Sequence, residues 1–339
     1  MKLTFNGKTL KIVLIAVAVI AALAVAYVVL DSIETRAKSD GVPVNYDYGA
    51  ADRASGNVIY YNGTEYRQKH RTETVLVLGI DKNIESANAV EGGVNSQQCD
   101  FIALVIMDNE SGTVDILTVN RDTVCGVDML SLDGKPVGRE NMQLALAHTF
   151  GTGGADSCEN AANAVGDLLG GTAIDHYISF TMDVVPVIND LCGGITLECS
   201  DDFGDDSFFR KGSVITLNGA DALRYVRARG EIRDDPTNVN RMSRQRQYLD
   251  ALYRAAVSKA KSDDSFILRA ARDTADYLVT DLDLDRLSVY SDRLGKYEMN
   301  GIHTLPGTAD YSGEYVEFIV DRQQADTLIL DLLYDKIEN

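Results

Sequence analysis

The 339-residue chain has no C-x-x-C pair, no G-x-S-x-G elbow, no G-x-x-x-x-G-K-[ST] loop and no H-E-x-x-H. These absences argue against zinc-ribbon and thioredoxin-like sites, serine-hydrolase elbows, P-loop nucleotide sites and zinc proteases. Histidine is scarce. The four residues, His70, His148, His176 and His303, are scattered, so no Ser-His-Asp assembly can be argued, and His148 and His176 read as structural. Internal repeats and low-complexity tracts are missing. Positive charge is in deficit, with 32 Lys and Arg against 51 Asp and Glu and a net charge of −19. That balance argues against nucleic acid as a partner, although a local arginine cluster can still bind an anion.

One long apolar run is present. Ile12 to Leu30 carries no charge, and its length suits a helix crossing a hydrocarbon core of ~30 Å. Lys2, Lys8 and Lys11 precede it, and Asp31 and Glu34 follow. The charge asymmetry puts the N-terminus in the cytoplasm and the main domain outside, in a single-pass protein of the cell membrane. A cleaved signal peptide is the competing reading; the run exceeds the ~7–15 residues of a usual apolar signal region. The expected organisation is a cytoplasmic tail at 1–11, an anchor at 12–30, an extracytoplasmic stalk at 31–73 and one large domain at 74–339. Within the stalk, Asn62-Gly63 between Val58–Tyr61 and Glu65–Tyr66 predicts a hairpin. All five cysteines follow the anchor. Outside the cytoplasm disulfides persist. Cys125–Cys158 and Cys192–Cys199 are possible bridges, with buried free thiols as the alternative.

The domain opens with apolar strands at 75–80, 101–107 and 113–119. The turn at 108–112 makes the second and third a hairpin. Helices are expected at 141–151, 158–169, 183–191, 238–261, 265–279 and 321–336. Further strands are expected at 174–180, 195–199, 302–305 and 315–320, with an acidic loop at 200–213. Residues 223–229 read as a strand, or as a helix feeding one. The alternation predicts an α/β fold with a mixed central sheet sandwiched by helices.

Three groups could carry chemistry. If Met107 pairs with Thr113, Asp100 falls opposite Asn120, with Arg121 and Asp122 just beyond. Two carboxylates suit a hard divalent cation such as Mg²⁺, and the guanidinium suits phosphate; from spacing alone, the plainer reading is that charged residues end the strands and pair as surface ions. In an extended chain Tyr225, Arg227 and Arg229 share one face. They would clamp a pyrophosphate or pair with the acidic loop at Asp201–Asp206. On the 238–261 helix, Arg241, Arg244, Gln245 and Tyr248 form a stripe beside an apolar one, either a cleft wall or a solvated basic edge.

The motif order resembles the LytR-CpsA-Psr family of cell-wall polymer ligases. Val75–Asp81 with Asp100, and Thr118-Val119-Asn120-Arg121-Asp122-Thr123, are similar to its N-terminal blocks. Gln143–Gly151, Ile174-Asp175-His176-Tyr177 and Gly193-Gly194-Ile195-Thr196 are similar to its middle blocks. Leu217-Asn218-Gly219, Tyr225-Val226-Arg227-Ala228-Arg229 and Asn240-Arg241-Met242-Ser243-Arg244-Gln245 are similar to its C-terminal block. The resemblance covers about residues 74–260. It implies a phosphotransferase that moves an anionic glycopolymer from a polyprenyl-pyrophosphate carrier to peptidoglycan. By the same resemblance Asp100 and Asp122 would hold Mg²⁺, with Asp100, Asp122 and Arg121 catalytic. Arg121, Arg227, Arg229, Arg241 and Gln245 would hold the pyrophosphate. Four positions depart from the family pattern. Gln98 and Gln143 stand where an arginine and a lysine are usual, and Asn238 and Asn240 where an aspartate and a glycine are. The alternatives are a non-catalytic binder of the lipid pyrophosphate in wall assembly or regulation, and a pyrophosphatase acting on the same carrier.

Overall fold

A computed structural model of the chain describes residues 58–81, 95–131, 133–228 and most of 244–337. The 12–30 run, the start of the expected stalk, Arg229, Arg241 and Gln245 lie outside the described residues. The chain divides into two units. A sheet unit comprises Arg36–Thr181, Val279–Leu282 and Lys296–Asn339, and a helical unit includes Met182–Leu278 and Asp283–Gly295.

The sheet unit begins with a hairpin of β1 (Val58–Tyr61) and β2 (Thr64–Gln68). Asn62 and Gly63 both have positive φ, at 49° and 75°, as a two-residue turn of this hand requires. Then come β3 (Thr72–Ile80), β4 (Cys99–Asp108) and β5 (Thr113–Thr118). A second hairpin follows, β6 (Val124–Leu130) with β7 (Pro136–Gln143). A 3-10 turn at Leu144–Thr149 leads to α1 (Ala155–Leu168) and β8 (His176–Thr181). The chain then builds α2 (Val184–Leu191), β9 (Ile195–Glu198), β10 (Val214–Leu217), α3 (Gly219–Arg227) and α4 (Phe266–Thr274) of the helical unit. It returns through β11 (Leu278–Thr280), β12 (Glu298–Thr304), β13 (Gly307–Asp310), β14 (Glu317–Val320), α5 (Arg322–Leu333) and β15 (Tyr334–Lys336).

The central sheet is mixed, in the order β11-β8-β3-β4-β5-β12. β4 runs antiparallel to β3 and β5, whereas β8 and β12 join parallel. β3 is buried almost throughout, as its unbroken apolar run predicts for a strand covered on both faces. On one face Leu76, Leu78, Leu104 and Leu117 pack in a core with Ala161, Val165 and Leu168 of α1 and Ala325 and Ile329 of α5. Each such leucine contributes ~1.5–3 kcal/mol by leaving water. β15 pairs with β2, which ties the first hairpin to the last strand.

Four expectations are corrected or narrowed. The β4–β5 register has Met107 opposite Val114, not Thr113. The expected helix at 141–151 is the end of β7 and a 3-10 turn. Of the two readings of 223–229, the helix and not the strand holds over residues 223–227: α3 runs to Arg227, and Asn218 caps it by accepting a hydrogen bond from Asp221 N at 3.0 Å. Tyr225 is therefore buried while Arg227 is exposed, because residues two apart lie on nearly opposite sides of a helix. Finally, all five cysteines are buried free thiols. Cys125 lies on β6 and Cys158 on α1, with the Cys158 Sγ 3.6 Å from His148 Nε2. Cys199 donates to the Asp201 carbonyl. Burial pushes the Cys125 and Cys158 thiols up to about 12 and Cys192 up to about 11, which suppresses the thiolate needed for exchange.

Within the helical unit one arginine organises the acidic loop. Arg244 is 1% exposed. It pairs with Asp201 at 2.7 Å and donates to the carbonyls of Tyr225 and Ala228. A second pair, Arg224 with Asp206 at 2.6 Å, fastens the same loop to α3. The loop is thus paired by arginines, but by Arg224 and Arg244 rather than Arg227.

Candidate active site at the end of the β4–β5 pair

The register decides what meets at this sheet end. The pairing Ala103–Thr118 continues in a bond from Val119 N to Ile102 O. One residue of slip relative to expectation carries Arg121, not Asn120, toward Asp100. Beyond β5 the chain turns sharply. Asn120 Oδ1 accepts from Asp122 N at 2.9 Å, and Asn120 O accepts from Thr123 N. The turn is held from two directions. Ala145 N donates to Arg121 O and Leu144 N to Thr123 O from the 3-10 segment, while Phe318 N of β14 donates to Asp122 O at 2.8 Å.

This scaffold presents Arg121 between two carboxylates. Its Nη1 forms an ion pair with Asp100 Oδ1, and its Nε lies 3.4 Å from Asp122 Oδ1. Its Nη2 donates to Gln98 Oε1 at 2.8 Å. Gln98 is set in turn by Asp81, whose Oδ1 accepts from Gln98 N and whose N–H donates to Gln98 O. On the far side, Gln143 Nε2 donates to Asp122 Oδ1 at 3.2 Å and to the Val316 carbonyl at 2.6 Å. The side chains of Asp100, Arg121 and Asp122 remain 32%, 28% and 27% exposed, so a ligand can reach them. Burial raises the Asp122 carboxyl above the ordinary carboxylate value, against the opposing pull of Arg121.

Two carboxylates facing one guanidinium leave an excess of negative charge. All the donors they offer are hard oxygens, which suit Mg²⁺. The described residues contain no cluster of three or more His, Cys, Asp or Glu for a metal. An ion here would therefore rely on the two aspartates together with water or phosphate oxygens, a common arrangement for Mg²⁺. Asp100, Arg121 and Asp122 thus come together as the sequence predicts. The support of Gln98 by Asp81 and the reach of the Val316 backbone are not read from the sequence, although Asp81 ends the Val75–Asp81 block of the resemblance.

The model of the LytR_cpsA_psr family matches residues 33–332. The chain belongs to this family. Similar relatives include the polyisoprenyl-teichoic acid–peptidoglycan teichoic acid transferase TagU of Bacillus subtilis strain 168. It is 25% identical over 240 residues, which are 69% of this chain and 68% of that protein. The TagU of Halalkalibacterium halodurans is 25% identical over 216 residues, 63% of this chain and 57% of that protein. This chain therefore spans little more than half the length of the latter relative. Among solved structures, B. subtilis TagV aligns with a TM-score of 0.50 at 21% identity, over 78% of this chain and 97% of its own. Protein gbs0355 of Streptococcus agalactiae aligns at 0.55 and 18% identity, over 77% of this chain and 86% of its own. Both share the mixed α/β fold of the LytR_cpsA_psr family. As for the remaining residues the resemblance singles out, Arg227 ends α3 exposed, and Arg229, Arg241 and Gln245 lie outside the described residues.

Proposed function

We propose that the chain is an extracytoplasmic phosphotransferase that moves a glycopolymer from a polyprenyl-pyrophosphate carrier to peptidoglycan, with the 12–30 run as its membrane anchor. The observation that carries this reading is the guanidinium of Arg121 held between the carboxylates of Asp100 and Asp122 in a chain of this family. Relatives named as teichoic acid transferases support it.

In the proposed reaction an acceptor hydroxyl attacks the glycan-bearing phosphorus. A new O–P bond forms, the bridging P–O bond breaks, and prenyl phosphate leaves. Such transfers depend mainly on positioning and charge neutralisation. Asp100 and Asp122 would hold Mg²⁺, which when bound would offset diphosphate charge. Arg121 would pair with a phosphate oxygen, and Arg227, Arg229, Arg241 and Gln245 would add contacts to the pyrophosphate. Asp100 or Asp122 would take the acceptor proton.

A second reading, a lipid-pyrophosphate binder without turnover, draws support from Gln98 and Gln143 standing where the family pattern has basic residues. Full-length chain incubated with a short lipid-pyrophosphate glycan, Mg²⁺ and peptidoglycan oligomers separates the readings by mass spectrometry. A glycan–peptidoglycan phosphodiester is the expected product. Free glycan phosphate alone would indicate a pyrophosphatase, and bound but unchanged lipid would indicate the binder.

A further inference from the structure

Among its described residues the β13–β14 hairpin supplies no charged group to the site, yet its backbone is fastened there. Phe318 N donates to Asp122 O, Thr123 forms an isolated bridge with Phe318, and the Gln143 amide that touches Asp122 also donates to Val316 O at 2.6 Å. The pair Asp310–Glu317 closes the loop between the strands, and Ser312 N folds it by donating to Asp310 Oδ1. Two aromatic rings stand on this loop. Tyr311 is 76% exposed and Tyr315 is 69% exposed. Exposed rings on a segment held this close to a reactive centre offer flat apolar faces for a partner to cover.

A pyranose ring has a matching face of C–H groups, and charge selects which glycan fits. Between Gly307 and Asp321 the sequence carries Asp310, Glu314, Glu317 and Asp321 and no lysine or arginine. A polyanionic chain would be repelled along this loop, whereas an uncharged amino-sugar chain would not. We propose that Tyr311 and Tyr315 form a stacking platform for the neutral N-acetylhexosamine strand of the acceptor, beside the Asp100–Arg121–Asp122 cluster. The assignment of that strand as acceptor rests on the transfer reading above; the glycan binding itself does not.

The test titrates full-length chain in detergent with a neutral β-1,4-linked N-acetylglucosamine oligomer, and separately with a glycerol-phosphate oligomer, by saturation-transfer NMR. The neutral oligomer should bind. Each of Tyr311→Ala and Tyr315→Ala should weaken it about tenfold, and the Tyr→Phe variants should retain it, because stacking needs the ring and not the hydroxyl. No binding of the neutral oligomer, unchanged affinity in the doubly substituted alanine variant, or preferential binding of the anionic oligomer through these tyrosines would overturn the platform. Failure of the transfer reading looks different: glycan binding lost in the alanine variants, with no transfer by the wild-type chain. Conversely, transfer with an acceptor KM unchanged in the alanine variants sinks the platform and spares the transferase.

Discussion

Arg121 shows how one side chain can organise a site that composition would not suggest. The chain is strongly acidic, yet this guanidinium meets two carboxylates and the Gln98 side-chain carbonyl at a single sheet end. Other buried polar residues act on stability instead. Arg244 is buried with Asp201 as its ion partner. Arg244→Met would leave that carboxylate without its partner, and should lower unfolding free energy by about 3 kcal/mol in denaturant titration. Arg244→Lys should rescue little, since an ammonium cannot reproduce the forked contacts. His148 is a second case. It is 1% exposed, and burial pushes its pKa down to about 4. The unfolded chain binds this proton below its usual pKa of about 6.5, and the folded chain does not until the pH nears 4. The neutral ring's stabilising contribution is therefore complete above about pH 6.5 and is lost as pH falls through this window, at about 1.4 kcal/mol per pH unit. Thermal unfolding across pH 4–7 should show a shallower acid loss in His148→Gln than in wild type.

At the scale of elements, legibility followed hydrophobic pattern. The three core strands are readable because an unbroken apolar run such as Val75–Leu78 has no other home than a doubly covered sheet. The Asn62-Gly63 hairpin is readable from its turn residues alone. The β6–β7 hairpin is not, because Pro136–Gln143 is mostly exposed and has no alternation to mark a strand. Arg139 instead stabilises it through Asp128 and Asp167, a pairing no local window reveals. The segment ending at Arg227 shows the opposite failure. Its arginine spacing invites an extended reading, while the Asn218 cap and Gly219 argue for a helix. Gly219 leaves no room for a side chain, since an added Cβ would lie 2.7 Å from the Pro186 carbonyl. Asn218→Ala should cost about 1 kcal/mol in equilibrium unfolding by removing the cap. A loss near zero would show that α3 is held by packing alone.

For the molecule as a whole, much of the candidate site was legible and part was not. Asp100, Arg121 and Asp122 were identified by motif order, and the sheet brings them together. The one-residue register difference, invisible to spacing, decides that Arg121 rather than Asn120 faces Asp100. Val316, which the hairpin brings to Gln143, comes 173 residues later in the chain, and sequence distance hides such contacts. In the proposed reaction the apolar run at 12–30 would hold the chain beside a membrane-held carrier. In the proposed reaction the Asp100–Arg121–Asp122 cluster performs the transfer. The most direct test measures phosphodiester formation by full-length wild type and by Asp122→Asn, with folding checked by circular dichroism. Wild type should form the adduct only when Mg²⁺ is supplied, and the variant should keep its fold and lose roughly 100-fold or more of the rate. Adduct formation by Asp122→Asn at the wild-type rate would exclude the Asp122 carboxylate from the chemistry.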